Sequence, residues 1–355
     1  MNDKVCISVH GVRTRGVWQK ALVPVLVRSG FTPIAIDYGW MSALKLIDPR
    51  SLDRYTDMLV HEYDALREEY QVERPSVVAH SFGTLQVGHL LKKYRHVAFD
   101  KVILAASILP RDYDWPGFLE ERRVQWVEND FGSRDRWPRV AAAIVPGAGS
   151  SGSVGFASSH PALHQVCYEA GHSDFFSQGH FRRAWVPTLT RKKRHIIDTL
   201  VWIREEFSRL NGIPVAELRC FVFEPAAGAS HLAVVPGLTL GNLAAGEERV
   251  TIDMNRTRPG PARAMESGAV NMLETRDSWE LRRVPAQSVQ ISPRLVWSAS
   301  IPIEAVGPGQ KGSVGVVILD GLVPPPSGSV NGMKFPEALP DMLNSIGAGL
   351  YPGRG

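Results

Sequence analysis

The sequence has few cysteines, no long apolar run and little excess charge. Its 355 residues include only Cys6, Cys167 and Cys220, an odd number without a CxxC pair, so we expect free, buried thiols. No stretch approaches the roughly 18 uninterrupted apolar residues that a membrane span needs. Residues 1–11 lack the charged-then-apolar layout of a secretory signal. We therefore expect a cytoplasmic protein without a transmembrane segment.

Charge is nearly balanced, with 40 Lys and Arg against 36 Asp and Glu, and the two signs are interleaved. The only basic run is Arg191–Arg194. Such a run most simply marks the solvated start of a helix, and the alternative is a site for acidic lipid or nucleic acid. For the chain as a whole we expect no nucleic-acid partner.

The first half is dominated by short apolar runs that alternate with amphipathic stretches. Continuous apolar strands between helical patterns are typical of a parallel sheet covered on both faces. We predict a doubly wound, mostly parallel α/β sheet of six strands. The six runs are Lys4–Val9, Phe31–Ile36, Ser76–Ala79, Lys101–Ala106, Val124–Val127 and His164–Tyr168.

The pattern changes near residue 190. Apolar residues then recur at helical spacing from Ile196 to Leu210, and Asn211-Gly212 supplies a stop signal. We predict a connecting helix over 190–211, which packs on its neighbouring domain or also pairs with a second copy of the chain. The first domain is thus 1–189 and the last domain 212–355.

Residues 212–355 are rich in Gly and Pro and contain strand-like runs. Two of them, Val296–Ile303 and Ser313–Leu319, flank a short glycine-containing loop that is typical of a hairpin. An amphipathic segment, Glu337–Leu350, closes the chain. We predict a smaller α+β domain with an antiparallel sheet.

A nucleophilic serine is indicated by the strand Val77–Ala79, which ends in His80-Ser81-Phe82-Gly83 and leads into a helical pattern. A nucleophile elbow needs small residues two before and two after the serine, because its strained turn brings other backbone close. Here these residues are Ala79 and Gly83. The alternative is a strand-to-helix turn that merely contains a serine.

A serine hydroxyl needs a histidine base, and the histidine needs a carboxylate to fix its tautomer. In this architecture both follow the serine, each after a later strand. His172 lies in a glycine-bearing loop after the strand that ends at Tyr168. After Val127, Asp135 and Asp130 compete as the acid. We favour Asp135, because Gly132-Ser133 provides a turn that would direct its carboxylate back over the strand ends.

An oxyanion hole requires two main-chain N–H groups directed at the developing negative charge. One donor is expected at Phe82, the residue after the nucleophile. The other is expected in the loop after the first strand, where Gly11 allows the N–H of Val12 to face the site. No metal or cofactor is predicted, since His160 and His164 lack the carboxylate cluster and shared helical face of a zinc site.

Three segments together resemble the α/β-hydrolase superfamily, especially lipase- and esterase-like bacterial members: Val9–Arg15 with Trp18, Ala79–Thr84 and Gly171–Phe175. The resemblance covers residues 1 to about 190. It implies a catalytic triad with Ser81 as nucleophile, His172 as base and Asp135 as acid, and an oxyanion hole formed by Val12 and Phe82.

Residues 210–350 more weakly resemble a GAF domain, through the long helix, the strand Arg219–Phe223, the segment Gly260–Gly268 and the run Gly312–Asp320. This resemblance implies a module that senses a small-molecule effector or forms a homodimer. We therefore expect a serine esterase or lipase-like hydrolase of carboxylic ester, thioester or lipid acyl bonds. The alternatives are a catalytically silent sensor or scaffold and an acyltransferase that uses the same triad.

Overall fold

The computed structural model describes residues 4–11, 17–36, 48–226, 230–241, 250–254, 260–273, 294–304, 312–326 and 328–350. The chain divides into two compact units, residues 1–190 and 191–355. Within the described ranges, no helix is both long enough and apolar enough to cross a membrane.

The first unit contains the predicted six-stranded sheet. Its strands are β1 (Val5–Val9), β2 (Thr32–Ile36), β3 (Ser76–His80), β4 (Phe99–Ala105), β5 (Val124–Gly132) and β6 (Leu163–Tyr168). They lie in the order β2-β1-β3-β4-β5-β6, and every neighbouring pair is parallel. The predicted fold class is confirmed for this half, with the reversal of strand order at β1 that a doubly wound sheet requires.

Helices lie between these strands and after the last of them. They are α1 (Val17–Arg28), α2 (Pro49–Tyr70), α3 (Phe82–Lys93), α4 (Trp115–Glu120), α5 (Trp137–Ile144), α6 (Ser151–Val154), α7 (Gln178–His180), a π-helical turn (Phe181–Trp185) and α8 (Val186–Thr190). The Asp48 carboxylate caps the start of α2 by accepting from the N–H of Arg50. Trp18 and Leu22 of α1 pack with Trp185 and Leu189 against one face of the sheet.

Strand β5 is longer than the sequence indicated. We expected a strand that stops at Val127, with Asp130 in the following loop, but β5 continues to Gly132 in register with β6. The expected loop position of Asp130 is therefore wrong. Glu128 and Asp130 are poor strand formers on the surface, but here both are buried and hydrogen-bonded to side chains of other elements.

The second unit contains a separate antiparallel sheet. Its strands are β7 (Leu218–Pro225), β8 (His231–Leu240), β9 (Thr251–Asp253), β10 (Asn271–Leu273), β11 (Trp297–Glu304) and β12 (Ser313–Gly321), in the order β10-β11-β12-β7-β8-β9. The predicted antiparallel sheet and the pairing of β11 with β12 are confirmed. The short strands β9 and β10 were not predicted. The likeness to a GAF domain stays a prediction.

Three helices complete the second unit: α9 (Lys193–Asn211), α10 (Pro261–Ser267) and α11 (Leu339–Leu350). The apolar stripe of α9, which includes Ile196, Leu200 and Phe207, is buried within this unit. Helix α9 ends as predicted at Gly212, which adopts a left-handed conformation with φ = 65°.

Two expectations about exposure are wrong. Cys167 is exposed, whereas Cys6 and Cys220 are buried; all three thiols are free. The basic run is not a solvated helix start, because Lys193 is buried and Arg191 donates to both carboxylate oxygens of Glu224 at 2.7 and 2.8 Å. Local sequence does not show these contacts, because the ion-pair partner lies on a distant strand.

Candidate active site

Ser81 occupies a strained turn between β3 and α3. Its φ of 53° and ψ of −122° lie in a region that non-glycine residues rarely adopt, at a cost of about 1–3 kcal/mol. The turn is tightly packed, since a methyl group added to Gly83 would lie 2.5 Å from the main-chain oxygen of Val9. The geometry has the features expected of a nucleophile elbow, including the need for a small residue two positions after the serine.

His172 lies between Ser81 and Asp135. Its Nε2 is 3.0 Å from Ser81 Oγ, and its Nδ1 is 2.8 Å from Asp135 Oδ2. A carboxylate only accepts, so the Nδ1–H of His172 donates to Asp135 and leaves Nε2 to accept the Ser81 hydroxyl. Residues separated by 37 and 91 positions in sequence thus form one hydrogen-bonded row.

Asp135 is placed by the turn that follows β5. Its N–H donates to the carbonyl of Gly132 at 3.1 Å. Its Oδ1 accepts from the N–H of Trp137 at 3.0 Å, which leaves Oδ2 for His172. The Asp135 side chain is only 1% exposed, while that of His172 is 25% exposed. The carboxylate is therefore held by hydrogen bonds and shielded from solvent. The imidazole has an open side from which a substrate can approach.

Asp130 faces a different part of the molecule. Its Oδ2 accepts from His180 Nε2 and Trp185 Nε1, each at 2.8 Å. Complete burial raises the pKa of Asp130, the His180 bond lowers it, and the nearby Glu128 carboxylate raises it further. Of the two aspartates proposed from sequence, the structure brings Asp135 and not Asp130 to His172.

The expected oxyanion donors are only partly described. Val12 lies outside the described residues. Phe82 is the first residue of α3, where main-chain N–H groups have no partner within the helix. Gly11 lies against Ser81, since a methyl group added there would come 2.8 Å from Ser81 Cβ. Gly11, the last described residue after β1, therefore lies next to Ser81, and the role of Val12 stays a prediction.

Two residues near Ser81, His172 and Asp135 were missed by sequence reasoning. His80 was treated only as part of the motif, yet its Nε2 lies 3.0 Å from the carbonyl oxygen of His172. Trp137 lies with its ring centroid 6.2 Å from that of His172, in an edge-to-face arrangement. No sequence signal pointed to His80 beyond its position before Ser81. Trp137 had one signal, its place two residues after the candidate acid.

The described residues contain no group of three or more His, Cys, Asp or Glu side chains that is suited to a metal ion. His164, considered above as a ligand, instead pairs through Nδ1 with Glu128 Oε1 at 2.8 Å.

Comparison with known families supports the architecture of the first unit. Residues 9–176 match the model of the alpha/beta hydrolase fold. The first unit is therefore an alpha/beta hydrolase domain, and the match supports a hydrolase activity in general. No curated protein matches the chain.

Similar solved structures are distant. A predicted CIB-like hydrolase from Thermoplasma acidophilum is 20% identical (TM-score 0.35), covering 52% of this chain and 85% of that chain. The Pyrococcus furiosus esterase Pf2001 is 15% identical (TM-score 0.35), covering 52% and 80%. A type II free methionine-R-sulfoxide reductase from Thermoplasma acidophilum is 10% identical (TM-score 0.28), covering 44% and 94%. At these TM-scores the three similarities support no functional argument.

Proposed function

We propose that the first unit is a serine hydrolase that cleaves a carboxylic ester, thioester or lipid acyl bond through an acyl-enzyme. The observation that carries the proposal is the row Ser81–His172–Asp135, with distances of 3.0 and 2.8 Å. Such a row supplies a nucleophile, a base within hydrogen-bond reach, and a group that orients the base.

In the first step, Ser81 Oγ attacks the carbonyl carbon and its proton passes to His172 Nε2. The tetrahedral intermediate then collapses, and the alcohol or thiol departs with the proton from His172. In the second step a water molecule gives a proton to His172 and attacks the acyl carbon, which releases the carboxylic acid and returns the proton to Ser81. Asp135 stabilises the imidazolium in both steps. We assign the oxyanion contacts to the N–H groups of Phe82 and Val12.

An apolar acyl group is favoured by the surface beside His172. Helix α5 begins at Trp137, and its side chains at positions 137, 140 and 144 share one helical stripe. Val140 and Ile144 are each 46% exposed on this stripe. Exposed aliphatic side chains on the helix whose first residue, Trp137, lies beside the imidazole offer contact to an acyl chain more readily than to a small charged acid. This supports an ester- or lipid-type substrate.

The second unit is proposed to bind a small-molecule effector or to form a homodimer that regulates the first. Helix α9 buries its apolar stripe within its own unit, which leaves Trp202 as an exposed aromatic residue. Sedimentation velocity of the full chain tests the dimer. We expect a dimer mass that becomes monomeric in Trp202→Ser, and a monomer at all concentrations would contradict this part of the proposal.

The hydrolase is tested by labelling with a fluorophosphonate, which reacts with activated serines. We expect the full chain to be labelled and Ser81→Ala to be inert. Ser133→Ala is the matched control, because it removes an exposed serine from the turn before Asp135. Absence of labelling under conditions where a control esterase reacts would contradict the proposal and favour the silent sensor or scaffold.

Hydrolysis and acyl transfer share the acyl-enzyme and require a separate measurement. Product analysis with a short-chain ester, with and without an added alcohol acceptor, distinguishes them. Release of free acid as the main product supports hydrolysis. Ester exchange as the main product in dilute acceptor would assign the chain to acyl transfer instead.

A further inference from the structure

His80 lies at the end of β3, directly before Ser81, and its side chain is buried. Its Nε2 is 3.0 Å from the carbonyl oxygen of His172, a residue 92 positions away in sequence. Because a carbonyl oxygen only accepts, Nε2 of His80 carries the proton and donates it. One hydrogen bond thus ties the residue preceding the candidate nucleophile to the main chain of the candidate base.

His80 is not suited to act as a second base. Burial, together with the nearby His172 and His10, lowers the pKa of His80 to about 3, although the bond to His172 opposes this shift. The imidazole is therefore neutral under ordinary conditions. The Ser81 hydroxyl is paired with His172 rather than with His80.

Stability alone does not explain an imidazole at this position. In the described part of the chain, His80 Nδ1 is buried without a hydrogen-bond partner. A buried polar atom without a partner is unfavourable, and an apolar side chain would avoid it. The surroundings are aromatic, with the ring of Phe176 at 4.7 Å and that of Trp18 at 6.4 Å between centroids. The donated bond to His172 is what distinguishes histidine from an apolar residue here.

His172 is held at two points. Its ring is fixed by Asp135 Oδ2 and its carbonyl by His80, whose ring centroid lies 4.8 Å from that of His172. We propose that His80 is a positioning residue: its Nε2–H fixes the main chain of the His172 loop, so that Nε2 of His172 stays within hydrogen-bond distance of Ser81 Oγ. This inference rests on the hydrolase proposed above, because it concerns the same site.

The experiment compares two substitutions of His80 in the full chain. In His80→Gln the amide nitrogen takes a place close to that of Nε2 and can still donate to the carbonyl of His172. In His80→Leu that donor is lost. A misplacement of reacting groups by about 1 Å costs roughly 10²-fold in rate, so we expect fluorophosphonate labelling and kcat to fall about 10- to 100-fold in His80→Leu, with KM nearly unchanged. His80→Gln should recover most of the loss.

Leu90→Ala is the matched stability control, because Leu90 is a buried residue of α3 without polar side-chain atoms. It should lower the melting temperature without lowering the labelling rate of the folded protein. If His80→Leu labels at the wild-type rate, the proposal is overturned. It is also overturned if the Gln and Leu variants are equally slow, since the donated bond would then be irrelevant.

A measurement that needs no turnover is the ¹⁵N NMR spectrum of the His172 imidazole. It is recorded for the wild type, His80→Gln and His80→Leu, each with and without the further substitution Ser81→Ala. We expect a single tautomer with the proton on Nδ1 in the wild type and in His80→Gln, and exchange between tautomers in His80→Leu. If the fluorophosphonate did not react with the wild type, the proposed hydrolase would be rejected. The NMR spectra would still decide whether His80 positions His172. Identical spectra for all three chains would overturn the positioning role.

Discussion

Strand β5 and the turn after it contain two aspartates, and each forms a similar hydrogen-bonded pair with a histidine. His172 with Asp135 and His180 with Asp130 both have a nitrogen-to-oxygen distance of 2.8 Å. The difference lies in the next contact. In the first pair, the histidine makes a further contact, from Nε2 of His172 to Ser81 Oγ. In the second pair, the further contact is made by the aspartate, which accepts from the indole N–H of Trp185. A histidine–carboxylate pair thus becomes a candidate for catalysis only through the group on its far side.

The strongest test of the difference between the two pairs is to replace each aspartate by asparagine. In Asp135→Asn the amide no longer fixes the His172 tautomer, so we expect fluorophosphonate labelling to fall on the order of 10⁴-fold, the loss known for serine triads. Asp130→Asn should label at the wild-type rate. The measurement is the second-order labelling rate of the folded variants. A large loss in Asp130→Asn and none in Asp135→Asn would reverse the assignment.

Stability should respond in the opposite sense. Asp130 is fully buried and accepts two hydrogen bonds, so Asp130→Asn should lower the free energy of unfolding by about 1–3 kcal/mol. Asp135→Asn should cost less, because the partly exposed His172 can turn towards water. Urea unfolding of both variants checks this. If Asp135→Asn lowered the free energy of unfolding by as much or more, the Asp130 pair would not contribute more to stability than the Asp135 pair.

The pH dependence of stability sharpens the contrast. Because the pKa of Asp130 is raised on folding, the folded state holds its proton at pH values where the unfolded state has released it. Stability therefore decreases as pH rises above about 3.9, the pKa of an unfolded aspartate, by up to ~1.4 kcal/mol per pH unit until Asp130 ionises in the folded state. Glu128, Tyr168 and His180 face the same carboxylate.

Asp130→Asn removes this decline, so the stability advantage of the wild type over the variant should widen as pH falls towards 4. Chemical unfolding followed at half-unit pH steps provides the test. A stability difference that is constant with pH would mean that Asp130 keeps an ordinary pKa in the folded protein.

The smallest expected effects concern the two tryptophans. Trp185→Phe removes the buried N–H bond to Asp130 and should cost about 1 kcal/mol of stability with no change in labelling. Trp137→Phe keeps a ring beside the partly exposed His172 and should change stability by less than about 0.5 kcal/mol. Thermal melts and labelling rates of both variants suffice. If Trp137→Phe lowered stability as much as Trp185→Phe, the surroundings of His172 and of Asp130 would be equally important for stability.

Much of the first unit could be predicted from its sequence, because its signals are local. Strands buried on both faces appear as continuous apolar runs, and all six were found. The strained turn at Ser81 was predicted from Ala79 and Gly83, since a tight turn restricts residue size. Chain order then pointed to His172. What failed depends on distant partners: the length of β5, the exposure of Cys167 and the burial of Lys193.

The sequence by itself determined the parallel sheet, the position of Ser81 and the order of its companions, because apolar periodicity and turn chemistry act within a few residues. Only the tertiary structure decided which aspartate lies beside His172 and that His80 Nε2 lies within hydrogen-bond distance of its main-chain carbonyl. Asp130 looked available as long as β5 seemed to end at Val127. The side chains that make its place in the sheet stable, His180 and Trp185, lie 50 and 55 residues further along the chain.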